Sequence, residues 1–321
     1  MASLEGHHHG RPKYNPHVAN LVNESISSLA PFAALILTVT LVIFFLVRFY
    51  LLESWLIPKY YKCYAGLNEV NRRGFVNHHI AGIVKIIMAI VGAYPFFSIA
   101  FGHATVRTPF GGSKIVTLGD VLLVLNQIFI AMYVFELLFR AKLSPVAVLH
   151  HIGAVIIAQS AVAISLNWHH ERDAMIEFML CFVWGFFDIV AEFWPHVAII
   201  QYRIYPDAHA FLKKVFRFCC ISTFAGTVIE TITVMWLFGS LWNRWSLSFK
   251  VVTPLLHVVF SAAQLWGAWN FRCMWLKQKK LAEGGKKDEE ARPASSSTSS
   301  EGSGGSTLVE GGDARLEASV V

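Results

Sequence analysis

Two adjacent histidines, His150 and His151, lie inside a long apolar stretch of this chain. Ionisable side chains at membrane depth are costly, and they are retained mainly where they serve a site. An imidazole titrates near neutral pH, so it suits acid–base catalysis, nucleophilic catalysis or metal binding. Neighbours on a helix point about 100° apart, so one histidine can act in a site while the other packs. The pair is therefore the first candidate for chemistry.

Other ionisable residues within apolar stretches are candidates to surround the pair. Glu136 lies in the preceding stretch, and a carboxylate beside an imidazole fixes its tautomer and raises its basicity. Asp188, Glu192 and His196 are spaced four apart and share one helical face. Lys85 is the expected cation for either carboxylate on that face. The predicted site comprises His150, His151 and Glu136 as catalytic residues and His79, Lys85, Asp188, Glu192 and His196 as ligand-binding residues.

Plainer structural roles stand beside these functional ones. His79 suits a helix mouth that faces headgroups, and Glu136 suits an ion pair with Arg140 one turn on. The face of Asp188 suits a hydrogen-bond network that ties helices together. A metal site would need three or four ligands from several helices, since adjacent histidines do not chelate as residues four apart do. We therefore predict no metal site and no bound cofactor.

Composition indicates what must position these residues. Of 321 residues, 55 % are hydrophobic and 15 % are charged, whereas a soluble domain is nearer a quarter charged. A spanning helix needs about 20 mostly apolar residues. The predicted spans are 29–50, 80–101, 117–139, 146–167, 175–200, 216–241 and 251–275. The fold class is therefore all-α, a polytopic membrane protein with seven transmembrane helices.

Local signals divide the chain further. Thr117 and Asp120 form a capping-box pattern at the start of the third span. Ser144 and Pro145 suit the N-cap and first position of the fourth. We expect a tail over 1–28, the first helix and a loop over 29–69 with Glu53–Asn77 non-helical, a membrane domain over 70–276, and a disordered tail over 277–321 whose composition cannot bury enough apolar surface.

Lysines and arginines at the span ends predict the orientation. They are concentrated in the first, third and fifth loops and in the C-terminal tail, so the C-terminus is expected in the cytosol and the N-terminus in the lumen. The net charge of +6 reflects this asymmetry, and no basic stretch is interleaved with aromatics as a nucleic-acid groove requires. Asn23-Glu24-Ser25 forms a glycosylation sequon on the predicted lumenal side.

The segment from Tyr133 to His151 resembles the TLC domain, named for TRAM, Lag1 and CLN8 proteins. It has a tyrosine and an acidic residue on one helix, a short basic turn, and then His-His on the next. Asn77-His78-His79 after Arg72-Arg73 is similar to the opening of that domain, and Trp184 to Arg203 is similar to a later helix with an acidic residue. The resemblance covers about residues 70–276.

The resemblance implies that the last six helices form a barrel and that the protein handles lipids in the endoplasmic reticulum. Its expected partners are membrane lipids, and homo-oligomerisation is compatible with the sequence. Ceramide synthases of this family transfer an acyl group from acyl-CoA to an amine. By resemblance, His150 and His151 would be the catalytic pair, with acyl-CoA as co-substrate. The turn from Ala141 to Ser144 lacks the aspartate of the synthases, so a lipid-binding or regulatory protein is favoured over an acyltransferase.

Two rivals come from other classes. A seven-helix receptor matches the predicted topology, but the chain lacks an Asp-Arg-Tyr-type triplet after the third span and an Asn-Pro-x-x-Tyr motif on the seventh. A transporter would favour inverted repeats and broken helices, neither of which is evident. Signalling on ligand addition would indicate the receptor, and flux into proteoliposomes would indicate the transporter.

Overall fold

Seven helices in the computed structural model are long and apolar enough to cross a membrane. The structure describes the backbone of residues 16–290 and the side chains of residues 16–284. The helices are α1 Ala30–Tyr60, α2 Glu69–Ala100, α3 Leu118–Phe139, α4 Pro145–Leu166, α5 Ala174–Ile204, α6 His209–Ser240 and α7 Leu247–Glu290. No strand occurs among the described residues. The predicted all-α fold with seven spanning helices is confirmed.

The caps predicted at the starts of α3 and α4 are present. The Thr117 side chain accepts from the Asp120 amide, and the Asp120 carboxylate accepts from the Thr117 amide in return. At the start of α4, the Ser144 hydroxyl accepts from the Ala147 amide at 3.1 Å, and Pro145 occupies the first position. These caps fix where both helices begin, so that a short turn over 140–144 joins α3 to α4 as an antiparallel pair.

The predicted loop Glu53–Asn77 is wrong for most of its length. The first helix changes to π-helical geometry over Val47–Leu56 and continues to Tyr60, and α2 already starts at Glu69. Pro58 lies in the last turn of this helix, where it lacks the amide hydrogen that would bond to the preceding turn. The Asn68 side chain accepts from the Asn71 amide at 3.0 Å and caps α2. Only residues 61–68 form the connection.

The last helix runs to Glu290, so the C-terminal tail begins later than residue 277, where we predicted it. Lysine, glutamine, leucine and alanine favour helix in this stretch, and Lys279 lies 3.9 Å from Glu283 one turn on. Continuity with a packed membrane helix removes the cost of nucleation. The rest of the predicted tail, residues 291–321, lies outside the described residues, as do residues 1–15.

Residues 16–29 form a strap that packs on the helix ends, although we predicted only a polar tail there. Val18 and Ile26 are buried, and the Ser27 hydroxyl donates to the Asp120 carboxylate at 2.6 Å. A side chain at Gly119 would place its Cβ 1.9 Å from the Ile26 carbonyl oxygen, so glycine permits this close approach. The strap therefore belongs to the folded domain.

Helix contacts close a ring around the site. The helices α2, α3, α4, α7, α6 and α5 each pack on the next, α5 returns to α2, and α4 also touches α5 across the ring. The first helix packs outside against α3. We call the side with connections 61–68, 140–144 and 205–208 the basic face, and the side covered by the strap the opposite face. Each helix thus presents side chains at a known depth between two faces.

Candidate functional site

A buried cluster of charged side chains lies between α2, α3, α4 and α5. The Lys85 ammonium on α2 donates to the Glu192 carboxylate at 3.1 Å and lies 3.6 Å from that of Asp188. The Tyr133 hydroxyl donates to Asp188 at 2.5 Å. His150 Nε2 lies 3.2 Å from Glu192 and 3.5 Å from Asp188. The spacing of four residues puts both carboxylates on one face of α5, where these three helices reach them.

The second histidine has a different set of partners. His151 Nε2 lies 3.6 Å from the Glu136 carboxylate, which also accepts from the Arg140 guanidinium at 2.8 Å. Its ring packs against Tyr133 with 4.5 Å between the ring centroids. Glu136 therefore has both the structural and the functional partner that the sequence suggests, because one carboxylate oxygen faces Arg140 and the other faces His151.

The two histidines also share buried ring nitrogens that lack a hydrogen-bond partner. The Nδ1 atoms of His150 and His151 are buried without a hydrogen-bond partner, whereas each Nε2 atom faces a carboxylate oxygen at 3.2 to 3.6 Å. Buried polar groups are nearly always paired, because an unpaired group costs about 1–3 kcal/mol. The Nδ1 atoms can therefore accept a further partner, while the Nε2 atoms face the carboxylates.

A cavity of about 50 Å³ adjoins the two histidines. It lies between α4, α5, α6 and α7 and is lined by both histidines together with Glu192, Thr223 and Gln264. The Thr223 hydroxyl and the Gln264 carbonyl oxygen are also buried without a partner. We call this space the histidine cavity; its wall concentrates polar atoms that a bound polar group would satisfy.

A larger cavity of about 100 Å³ shares Gln264 with the wall of the histidine cavity. We call it the apolar cavity, because most of its lining is aliphatic or aromatic. Its polar members are Asn126, Asp188, Glu230 and Gln264, and Gln264 lines both spaces. Apolar pockets with a few convergent polar groups are typical of ligand sites.

Predicted site residues are not all brought together. His196 forms a separate buried pair with His78, with 2.9 Å between the two Nδ1 atoms, so one of them donates to the other. His79 instead donates from Nδ1 to the Phe75 carbonyl and packs on the rings of Tyr61 and Phe75. Neighbouring positions on α2 point about 100° apart, and it is His78 that faces α5.

Sequence reasoning missed Tyr133, Thr223 and Gln264 as members of the site. Tyr133 precedes Glu136 by one helical turn, so its position on the same face of α3 was a usable signal. Gln264 is a buried amide within an apolar run, and such residues commonly mark helix contacts or sites. Thr223 carries no such signal, because hydroxyls are frequent and easily satisfied in membrane helices.

The geometry of His150, Asp188 and Glu192 is also compatible with a metal ion. One ligand atom from each lies within 4.8 Å of the others. However, the Lys85 ammonium lies 3.1 Å from Glu192 and 3.6 Å from Asp188, which is the position that a cation between the carboxylates would take. This lysine supplies one positive charge to the two carboxylates, and a metal ion there would have to displace it.

Comparisons of this chain with protein-family models, with curated proteins and with solved structures give no match. Function must therefore be inferred from the residues of the site and their geometry.

Proposed function

We propose that this integral membrane protein handles lipids and binds an amphipathic lipid across the two cavities. The observation that carries the proposal is their adjacency: a large apolar space meets a smaller one lined by four side chains with unpaired buried polar atoms. An acyl chain in the apolar cavity would bury its surface, and its polar end would reach the histidine cavity. Lipid binding, homeostasis or regulation of membrane composition are the roles that such a site serves.

The resemblance of residues 70–276 to the TLC domain supports this proposal. The resemblance rests on the hairpin of α3 and α4. Within this hairpin Glu136 approaches His151, and Tyr133 on α3 bonds to Asp188 on α5. The ring of α2 to α7 is compatible with the expected TLC-like barrel. In this proposal the working residues are His150, His151, Glu136, Lys85, Asp188 and Glu192, whereas His79 and His196 lie outside the cavities.

The proposed orientation places the basic face in the cytosol and the strap in the lumen of the endoplasmic reticulum. Cytosolic loops carry an excess of lysine and arginine, and the connections at the basic face and their flanks carry Lys62, Arg72, Arg140, Lys142 and Arg203. His150 is the sixth residue of α4, so it lies about 8 Å from the helix start at this face. A water-soluble co-substrate would reach the histidines from the cytosol.

A specific observation favours an acyl-CoA-dependent acyltransferase as the second candidate. A shallow hollow at the basic face is lined by Arg140, Lys142 and Arg203, with no carboxylate among its lining residues in the described chain. Three cations suit the phosphates of a CoA thioester. Arg140 links this hollow to the site, because it bonds to the Glu136 carboxylate that faces His151.

In that reaction the imidazole of His150 would take a proton from an attacking amine. The amine nitrogen forms a bond to the thioester carbonyl carbon, the carbon–sulfur bond breaks, and the proton passes to the departing thiolate. The products are an amide-linked lipid and the free thiol, so no oxidant or further reactant is needed. The Glu136 carboxylate would orient His151 beside the reacting carbonyl.

The test is lipidomics on a deletion strain rescued with wild type, with His150→Ala/His151→Ala, or with His79→Ala at matched expression. His79→Ala is the control, because it removes a histidine at similar depth outside both cavities. The proposal predicts that one lipid class changes on deletion and returns with wild type and His79→Ala only. Full rescue by the double variant would remove the histidine pair from the function. An unchanged lipidome in the deletion strain would overturn lipid handling itself.

A further inference from the structure

Gln264 stands where the two cavities meet. It lies on α7, is 7 % exposed, and lines both the apolar cavity and the histidine cavity. Phe260, one turn earlier, also lines the apolar cavity, and its ring packs on that of His150 with 5.0 Å between centroids. Gln264 is therefore the residue that the walls of both cavities share.

The Glu230 carboxylate fixes which way this amide points. Gln264 Nε2 donates to a Glu230 oxygen at 2.8 Å. The reverse orientation would set the amide oxygen against the carboxylate oxygen and lose the bond. The carbonyl oxygen of Gln264 consequently faces away from Glu230, and it is buried without a hydrogen-bond partner. It is a fixed acceptor at the boundary of the two spaces.

A second oxygen nearby shares this condition. Thr223 precedes Glu230 by seven residues, so both lie on the same face of α6. Its hydroxyl is buried, lines the histidine cavity and has no partner. By contrast, Thr227 between them donates to the Thr223 carbonyl at 2.9 Å and is satisfied within its own helix. On α6 and α7 the buried oxygens without a partner, those of Thr223 and Gln264, are at positions that line the cavities.

We propose that Gln264 selects lipids that carry a hydrogen-bond donor, a hydroxyl or an amide N–H, where the long chain meets the polar end. The donor bonds to the Gln264 carbonyl oxygen while the chain occupies the apolar cavity. An ether or ester at the same point offers only acceptors and would leave that oxygen unpaired. This inference rests on the proposed lipid-handling function and adds the chemistry by which the site discriminates among lipids.

The test compares two reagents on the full chain in nanodiscs: a diazirine-bearing hexadecanol and its methyl ether. They differ in the hydroxyl hydrogen that the Gln264 oxygen would accept. Cross-linking yield on peptides that line the cavities is measured for wild type, Gln264→Leu, Gln264→Met and Gln159→Leu. Gln159→Leu is the matched control, because Gln159 bonds to Gln127 and lines neither cavity.

We expect wild type and Gln159→Leu to favour the alcohol roughly two- to tenfold, the worth of one net hydrogen bond. Gln264→Leu and Gln264→Met should bring alcohol labelling down to that of the ether and leave ether labelling unchanged. Equal labelling of wild type by both reagents would overturn the inference and leave lipid binding intact, and this comparison needs no variant to fold. If neither reagent labels the cavities, both the inference and the proposed function are overturned.

Discussion

Two buried histidine environments in this bundle differ in how completely their hydrogen bonds are made. His257 on α7 accepts from the Trp184 indole at 2.9 Å, and its other nitrogen donates to the Thr231 hydroxyl at 3.1 Å. Thr231 donates onward to the Thr227 carbonyl at 2.7 Å. The His150 side chain is 7 % exposed, yet its Nδ1 has no hydrogen-bond partner and its Nε2 faces only carboxylates, at 3.2 and 3.5 Å. Burial alone therefore does not distinguish a structural histidine from a candidate functional one.

The difference lies in what faces each ring. His257 meets neutral groups that complete its bonding, so it stabilises the contact of α5, α6 and α7. His150 meets two carboxylates that Lys85 and Tyr133 already engage, and it borders an open cavity. We infer that the charged cluster stabilises the fold through Lys85 and Tyr133, whereas the histidine is held beside it for a ligand. Four substitutions test this division.

Lys85→Met should have the largest effect on stability. It leaves two carboxylates in the membrane domain without their ammonium, and breaking a buried pair from one side costs about 3–5 kcal/mol. Equilibrium unfolding in mixed micelles measures the loss. Lys279→Met removes an exposed lysine with one surface partner and should change the free energy of unfolding by about 0.5 kcal/mol or less.

The pairing of charges is checked by a double variant. Lys85→Met/Glu192→Gln removes one of the two stranded carboxylates and should recover part of the stability. A Lys85→Met protein as stable as wild type would mean that water reaches the cluster freely, and the division between its two parts would fail.

His257→Leu should cost about 3 kcal/mol in unfolding free energy. It leaves the Trp184 indole hydrogen and the Thr231 oxygen without partners, and each such group costs about 1–3 kcal/mol. Lipid labelling of the folded fraction should stay at the wild-type level. His209→Leu, which removes a single bond to Gln278 at the start of α6, should cost less. Loss of labelling without loss of stability would reverse the structural role assigned to His257.

Tyr133→Phe should destabilise the protein by about 2 kcal/mol. It deletes a hydroxyl that donates to the Asp188 carboxylate at 2.5 Å, and hydrogen bonds to charged groups are worth about 1.5–3 kcal/mol. Tyr94→Phe is the control, because Tyr94 is exposed and its hydroxyl bonds to no side chain or backbone group among the described residues. Equal stability of both variants would show that Asp188 does not depend on this hydroxyl.

His150→Ala should have the smallest effect on stability, about 1 kcal/mol, because Lys85 and Tyr133 still bond to both carboxylates after the contact at 3.2 Å is lost. Lipid labelling in the histidine cavity should nevertheless fall. The measurement is the same unfolding assay paired with cross-linking of the folded protein. A destabilisation as large as that of His257→Leu would contradict the comparison and make His150 a structural residue.

Much of the site could be predicted because membrane burial makes polar residues conspicuous. Lys85, Asp188 and Glu192 were paired in advance, since isolated charges in apolar helices require partners, and the structure places Lys85 against both carboxylates. Glu136 was expected beside one of the histidines because α3 and α4 form a hairpin, and it lies 3.6 Å from His151. These predictions follow from the spacing of residues along each helix and from the short turn between α3 and α4.

Other features could not be predicted, because they depend on contacts between distant segments. The choice of His78 over His79 as the inward residue depends on the rotation of α2 against α5. The sequence of residues 16–29 predicts a polar tail, and only the contacts of this strap with Gly119 and Asp120 make it part of the fold. The cavities depend on how α4, α5, α6 and α7 diverge, which no pattern within a single helix records.

The sequence by itself determined the all-α class, the seven spans, the helix caps and the charged residues that must meet, since apolar length and the cost of buried charge act locally and strongly. Only the tertiary structure decided which polar atoms are satisfied and which are left open. His150, His151 and Gln264 keep unpaired atoms because the helices around them leave space instead of partners. That outcome is a property of packing between helices, and it is what marks the site.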